Sequence, residues 1–175
     1  GTVTTSTLTF FGGDVVITAT GTLSPGTADV YVNGDFTNDG TFTHNNSDLH
    51  FLGSGIADFG VSPLYDLTID SGTVTLASAA TIANDLEIAD NQTFALAGQN
   101  LTVAGAFRNG TTAGNDGAKI TLYGSETVTL TQDTDSGTWE YVGNGTGSTL
   151  LTTIKDFGAT DYYNLVINDA SVSNT

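Results

Sequence analysis

Apolar residues along this chain come as doublets split by one other residue. They fall at Val15/Ile17, Val30/Val32, Leu49/Phe51, Leu67/Ile69, Leu86/Ile88, Leu101/Val103, Ile120/Leu122, Trp139/Tyr141 and Leu165/Ile167. Successive doublets lie 15, 19, 18, 19, 15, 19, 19 and 26 residues apart. A period of two marks strands with one buried side. Between the doublets stand turn formers: Asn33-Gly34, Asp39-Gly40, Ser71-Gly72, Asn109-Gly110, Asp116-Gly117 and Asn144-Gly145. Such pairs tolerate positive φ and close corners. Apolar residues do not recur at helical spacing, and Lys, Glu and Met are scarce or absent, which disfavours helix. Residues 77–90 are the one stretch that invites a helix. Their counterpart at 6–19, STLTFFGGDVVITA, reads as strand, so the pattern predicts strand and turn in both.

Short strands at this spacing predict an all-β fold, a β-solenoid of the parallel β-helix kind. A coil of about 19 residues at ~3.3 Å each has a perimeter near ~60 Å, room for two or three strands and their corners. Stacked coils would line up the doublets as internal ladders. The alternative is a β-sandwich or jelly roll of two similar halves, which gives the same beat.

The chain also repeats itself over longer distances. Residues 1–54 align without a gap on 72–125, at an offset of 71. Gly1-Thr2-Val3-Thr4 returns as Gly72-Thr73-Val74-Thr75, and Gly34-x-Phe36-x-Asn38 as Gly105-x-Phe107-x-Asn109. Ile56-x-Asp58-Phe59-Gly60 then returns as Ile154-x-Asp156-Phe157-Gly158, at an offset of 98. The jump of 27 (98 − 71) predicts an insertion at about 127–153, an extra coil or a coil with a loop. The expected organisation is unit one at 1–71, unit two at 72–169, and the start of a third unit at 170–175. That last expectation reads the chain as a piece of a longer array.

A resemblance sharpens this picture. Phe59-Gly60 with Leu64-Tyr65-Asp66-Leu67-Thr68-Ile69, the run Gly98 to Phe107, and Phe157-Gly158 with Tyr162-Tyr163-Asn164-Leu165-Val166-Ile167 resemble repeats of very large bacterial surface proteins. The resemblance implies an exported, right-handed β-helix-like stalk of the adhesin type, at the cell surface or outside the cell. It carries over no catalytic residues.

Charge narrows the partners. Nineteen acids face three bases, Arg108, Lys119 and Lys155, for a formal net charge of −16. Phosphate neutralisation needs clustered Lys and Arg, so nucleic acid is excluded as a partner. No apolar run is long enough for a membrane-spanning helix, and no direct membrane insertion is expected. There is no cysteine, hence no disulfide framework and no thiolate metal site.

Candidate chemistry is sparse. His44 and His50 align with Asn115 and Thr121, outside the repeated framework, and are expected as exposed loop residues. No nucleophile-elbow context supports a Ser-His-Asp site. Calcium is the cofactor that oxygen-rich turns could hold, and Asp133 and Asp135 in the run DTDSG form the best local cluster, though without EF-hand spacing. Trp139 and Tyr141 lie in the insertion. They are candidates for a glycan- or partner-facing patch, against the plainer expectation that they fill the core of an extra coil. Asn45 and Asn144 head glycosylation sequons in expected loops. Asp14 and Asp85, aligned at corners, are expected to cap their own turns. The recurring pairs Phe36/Phe107, Phe59/Phe157 and Tyr65/Tyr163 are expected as core stacks.

The sequence therefore predicts a structural, non-catalytic module of an extracellular stalk or filament, self-associating or stacked on neighbouring repeats of the same chain. A carbohydrate- or surface-binding adhesin domain is the alternative. A polysaccharide-active enzyme and an ice-binding Thr array, as in Thr127-x-Thr129-x-Thr131, stand further back.

Overall fold

The structure, a computed structural model, describes residues 1–5, 7–144, 154–159 and 161–168; the side chains of 115 and 116 are not described. Among these residues there is no helix, and every strand pair is parallel. The chain winds into a β-solenoid of about seven coils of roughly 20 residues. Parallel pairing throughout is incompatible with an antiparallel sandwich.

Coil one is β1 (Thr2–Thr4), β2 (Thr9–Phe11) and β3 (Val15–Ile17); coil two is β4 (Thr22–Ser24), β5 (Val30–Val32) and β6 (Phe36–Asn38). Coil three is β7 (Thr41–Phe42), β8 (Asp48–Phe51) and β9 (Gly55–Asp58). Coil four holds β10 (Asp66–Ile69) and β11 (Thr73–Leu76), with Leu64 bridging to Ile82 where a first strand would stand. Coil five is β12 (Ala80–Ile82), β13 (Leu86–Ile88) and β14 (Thr93–Ala95); coil six is β15 (Leu101–Val103), β16 (Phe107–Asn109) and β17 (Gly114–Leu122). Coil seven has β18 (Val128–Thr129) and β19 (Ser136–Tyr141), and β20 (Asn164–Ile167) lies on β19 as an eighth layer.

The strands form three faces. The second is a six-stranded sheet from β2 to β16, and the third an eight-stranded sheet from β3 to β20. The first is split into β1-β4-β7 and β12-β15-β18. Pro63 sits at the break, where it cannot supply a ladder N–H. The Ser62 hydroxyl substitutes, accepting from Phe42 N–H at 3.2 Å and from Asn38 Nδ2 at 3.1 Å.

Inward residues stack in register. On the second face Val30, Leu49, Leu67, Leu86 and Phe107 form one column, all buried. The doublets of the sequence come from all three faces, which explains their uneven beat. The 15-residue steps, from Val15 to Val30 and from Leu86 to Leu101, are two-thirds of a turn rather than a whole one. A strand and its corner take six or seven residues, and three such steps make a coil. Tyr65 and Tyr163 depart from the expected core role. Tyr65 stacks on His44 at 5.7 Å outside the core, and Tyr163 is exposed.

The 71-residue repeat has a geometric meaning. It carries β1 on the first face to β11 on the third, β3 to β13 on the second, and β5 to β15 on the first. Counting Leu64 as a strand position, each move is eleven steps, or three and two-thirds turns. The residue 71/72 boundary falls at the corner between β10 and β11. The boundary at 169/170 and the stub 170–175 lie outside the described residues. Of the expected insertion, residues 127–144 are described and supply β18 and β19.

Candidate functional site

The densest polar cluster lies on the second face. β8 alternates inward Leu49 and Phe51 with outward His50, so the imidazole is mid-strand and not in a loop as the sequence predicts. Its Nε2 lies 3.1 Å from Asp48 Oδ2 and its Nδ1 2.7 Å from Asp70 Oδ2. The ring stacks on Tyr31 of coil two, centroids 4.4 Å apart and 13° from parallel. Thr68 Oγ1 donates to Asp48 Oδ2 at 3.1 Å. Partial burial opposes protonation of His50, but hydrogen bonds and charge from Asp48 and then Asp70 outweigh it and raise its pKa to about 9. Burial, then the charges of Asp29, Asp70 and Asp48, raise the Tyr31 phenol. Both ring nitrogens of His50 are therefore engaged by carboxylates. Chemically this arrangement is a clamp across coils two, three and four, with no nitrogen left to take a proton from a substrate.

The corners are closed by the same means. Asp14 Oδ1 accepts from Asp35 N–H at 2.9 Å, and Asp35 Oδ1 from Ile56 N–H at 2.7 Å. At the corner between the first and second faces Asp66 Oδ1 accepts from Asp85 N–H, and Asp85 Oδ1 from Ala106 N–H, each at 2.7 Å. The acids thus cap the following coil rather than their own turn, which corrects the sequence expectation. A Cβ on Gly34 would collide with Asp14 Oδ1, and one on Gly105 with Asp85 Oδ1. The repeated Asp and Gly are two halves of one device. Asn38 and Asn109, the ends of the repeated Phe-x-Asn, donate side-chain amides to Phe59 O (3.0 Å) and Thr138 O (3.1 Å) of the next coil.

The residues singled out by sequence lie apart from this cluster. Asp133 Oδ2 accepts from Asn109 N–H at 2.9 Å and from the Ser136 hydroxyl at 3.1 Å, while its Oδ1 accepts from Asp135 N–H at 3.1 Å. Both its oxygens serve the chain itself. Among the described residues no group of three or more His, Asp or Glu side chains is placed to hold a metal ion. Trp139 and Tyr141 are both inside, at 1% and 0% exposure. Trp139 packs against Phe107, Phe157 and Tyr162 with centroids 5.1–5.8 Å apart. Tyr141 Oη accepts from Lys155 N–H at 2.8 Å and meets Tyr162 Oη at 2.9 Å. Burial and that contact push the Tyr162 phenol up. Asn45 is exposed in a left-handed turn, φ 48°. Asn144 is exposed, and the rest of its sequon lies outside the described residues.

Inward apolar positions of the first and last described layers are partly exposed. The N-terminal mouth is a concavity of about 490 Å³ lined by Val3, Phe11, Val15, Ile17 and Leu23. Val3, an inward position of the first face, is 57% exposed there, and outward Val16 is 62% exposed. At the other end Leu165 and Ile167, in register with Trp139 and Tyr141, are 41% and 47% exposed. The sequence reading names neither end by residue. The signal was the column register: Val3 lies in register with buried Leu23, and Leu165 and Ile167 with Trp139 and Tyr141. No protein-family model, no curated protein and no solved structure matches the chain.

Proposed function

We propose that this chain is a structural, non-catalytic segment of an extracellular stalk or filament. The observation that carries the reading is the third face, eight parallel strands in one continuous ladder from β3 to β20. Eight layers at ~4.8 Å make a stiff block roughly 35–40 Å long. Polar side chains of the lateral surface serve as ties between coils: Asp caps, the His50 clamp, and the ion pairs Arg108–Glu87 at 3.3 Å and Lys119–Glu140 at 2.6 Å. A surface built this way supports a role in bearing length and load. The net charge of −16 favours solubility and keeps rods apart side by side. The resemblance to repeats of large bacterial surface proteins points the same way.

The test is electron microscopy of the protein as isolated from its source. Fibres or surface stalks with a ~4.8 Å axial repeat are expected. Compact isolated particles would end the structural reading.

A further inference from the structure

We propose that the gap in the first face between coils three and four is a bending joint, where the rod opens along that face and pivots on the corner opposite. The inference goes beyond the stalk reading and does not need it, because a joint is a property of the stack itself.

The joint begins at one proline. Thr41 N–H donates to Gly21 O at 3.0 Å, and Thr43 N–H to Leu23 O at 2.9 Å. Parallel strands alternate, so Phe42 N–H and C=O face coil four. There Leu64 N–H donates to Thr81 O, and Leu64 O accepts from Ala83 N–H, each at 2.9 Å. Leu64 thus spends its main chain on coil five. Its neighbour Pro63 is the residue turned toward coil three, and it has no N–H to give. Among the described residues no main-chain pair spans this gap, and the first face divides into β1-β4-β7 and β12-β15-β18.

The other two faces cross the same level unbroken. β8 pairs with β10 at four positions, and β9 with β11 at three. The corner between those faces is tied as well. Asp70 and Ser71 N–H donate to Phe51 O at 3.0 and 3.2 Å, and Thr73 N–H to Ser54 Oγ at 3.0 Å. That corner lies across the coil from the gap. Main-chain ties on one side and a gap on the other give the rod a pivot and a direction of bending.

Side chains alone bridge the gap. The Ser62 hydroxyl accepts from Phe42 N–H and Asn38 Nδ2, and Tyr65 stacks on His44. The chain itself crosses as a short strap. Phe59 is anchored on Phe36 of coil two, ring centroids 5.8 Å apart, and Leu64 on coil five. None of the residues 60–63 between them is buried, and Val61 is 97% exposed. The strap can therefore straighten without uncovering core. Hinges are short segments of this kind, which absorb a change of backbone angle between two blocks. The turn that starts the strap, with Gly60 N–H on Asp58 Oδ1 at 3.0 Å, returns as Gly158 N–H on Asp156 Oδ1 at 2.7 Å. It belongs to the repeated framework.

Distances between paired spin labels test this, since the chain has no cysteine of its own. Thr22→Cys with Thr102→Cys spans coils two to six on the first face. Thr37→Cys with Thr121→Cys spans the same coils on the third. Each pair is four layers apart, roughly 19 Å. The first-face pair is expected to give the broader distribution, with a tail to longer distances. Ser62→Ala, which removes the hydroxyl bridge, should lengthen that tail and leave the third-face pair unchanged. Equal widths for the two pairs overturn the joint, as does a Ser62→Ala variant that broadens both pairs or neither. Such a result leaves the stalk reading standing if the protein from its source is fibrous. Compact source particles end that reading and leave the joint to the label distances.

Discussion

Coils two to five and the layers from β17 onward hold the same backbone ladder by different means. In coils two to five, register partners lie 18–21 residues apart and the core is Val, Leu, Ile, Phe and Ala. From β14 to β17 the step is 26, from β15 to β18 it is 27, and from β19 to β20 it is 26. Coil seven has no strand on the second face among the described residues, and Asp133 caps the β16 edge with a side chain instead. There the core is a knot of Phe107, Trp139, Phe157 and Tyr162. Even spacing spreads cohesion over many equivalent layers. Uneven spacing concentrates it in a few large rings, because longer loops lose ladder bonds and leave wider gaps to fill.

The largest effect is expected from Trp139→Ala, about 3–5 kcal/mol for truncating a buried aromatic. Because each layer touches only its neighbours, loss should be confined to β19 and β20. Hydrogen exchange should show those strands unprotected while β5 to β13 stay closed; uniform loss would erase the distinction between the two regions. Leu67→Ala in the regular part should cost about 2–4 kcal/mol. It should lower the midpoint of the whole denaturation curve, because the layers on both sides lean on it.

The His50 clamp offers a third probe. Its folded pKa, about 9, lies above the ordinary 6.5. Its stabilisation is therefore complete below about 6.5 and lost as pH rises through about 9. A shift of that size corresponds to about 3 kcal/mol, which solvent screening at this partly exposed site reduces to about 1–2 kcal/mol. Melting temperature should fall over that window in the wild type and stay level in His50→Gln. A flat wild-type profile would show that Asp48 and Asp70 do not hold the charge. The smallest effect is expected from Asp85→Ala, about 1 kcal/mol for one uncapped N–H at a corner water can reach. Asp85→Asn, which keeps an acceptor, should recover most of it in the same denaturation assay.

Much of this fold could be read from the chain. The doublets marked inward positions in strands β3, β5, β8, β10, β13 and β15, because burial on one side imposes a period of two. Which face each doublet occupies was hidden, since three nearly equivalent faces leave no trace in a one-dimensional pattern. His50 was missed for a related reason. Its partners Tyr31 and Asp70 are 19 and 20 residues away and meet it through coil register alone. Stepping one coil length back and one forward from His50 would have found both. Trp139 and Tyr141 carried the inward pattern of every other doublet, and their lack of a repeated counterpart reflects the longer step after β14, not exposure.

The repeat of three and two-thirds turns bears on how such a rod changes length over generations. A duplicated stretch of gene need not encode whole turns to be accommodated. It need only encode a whole number of strand-and-corner steps, because each face of the prism accepts what its neighbour accepts. Duplications that end in thirds of a turn are then as foldable as those that end in full ones. Layers away from the junction keep their neighbours, and only the strands that flank it meet new ones.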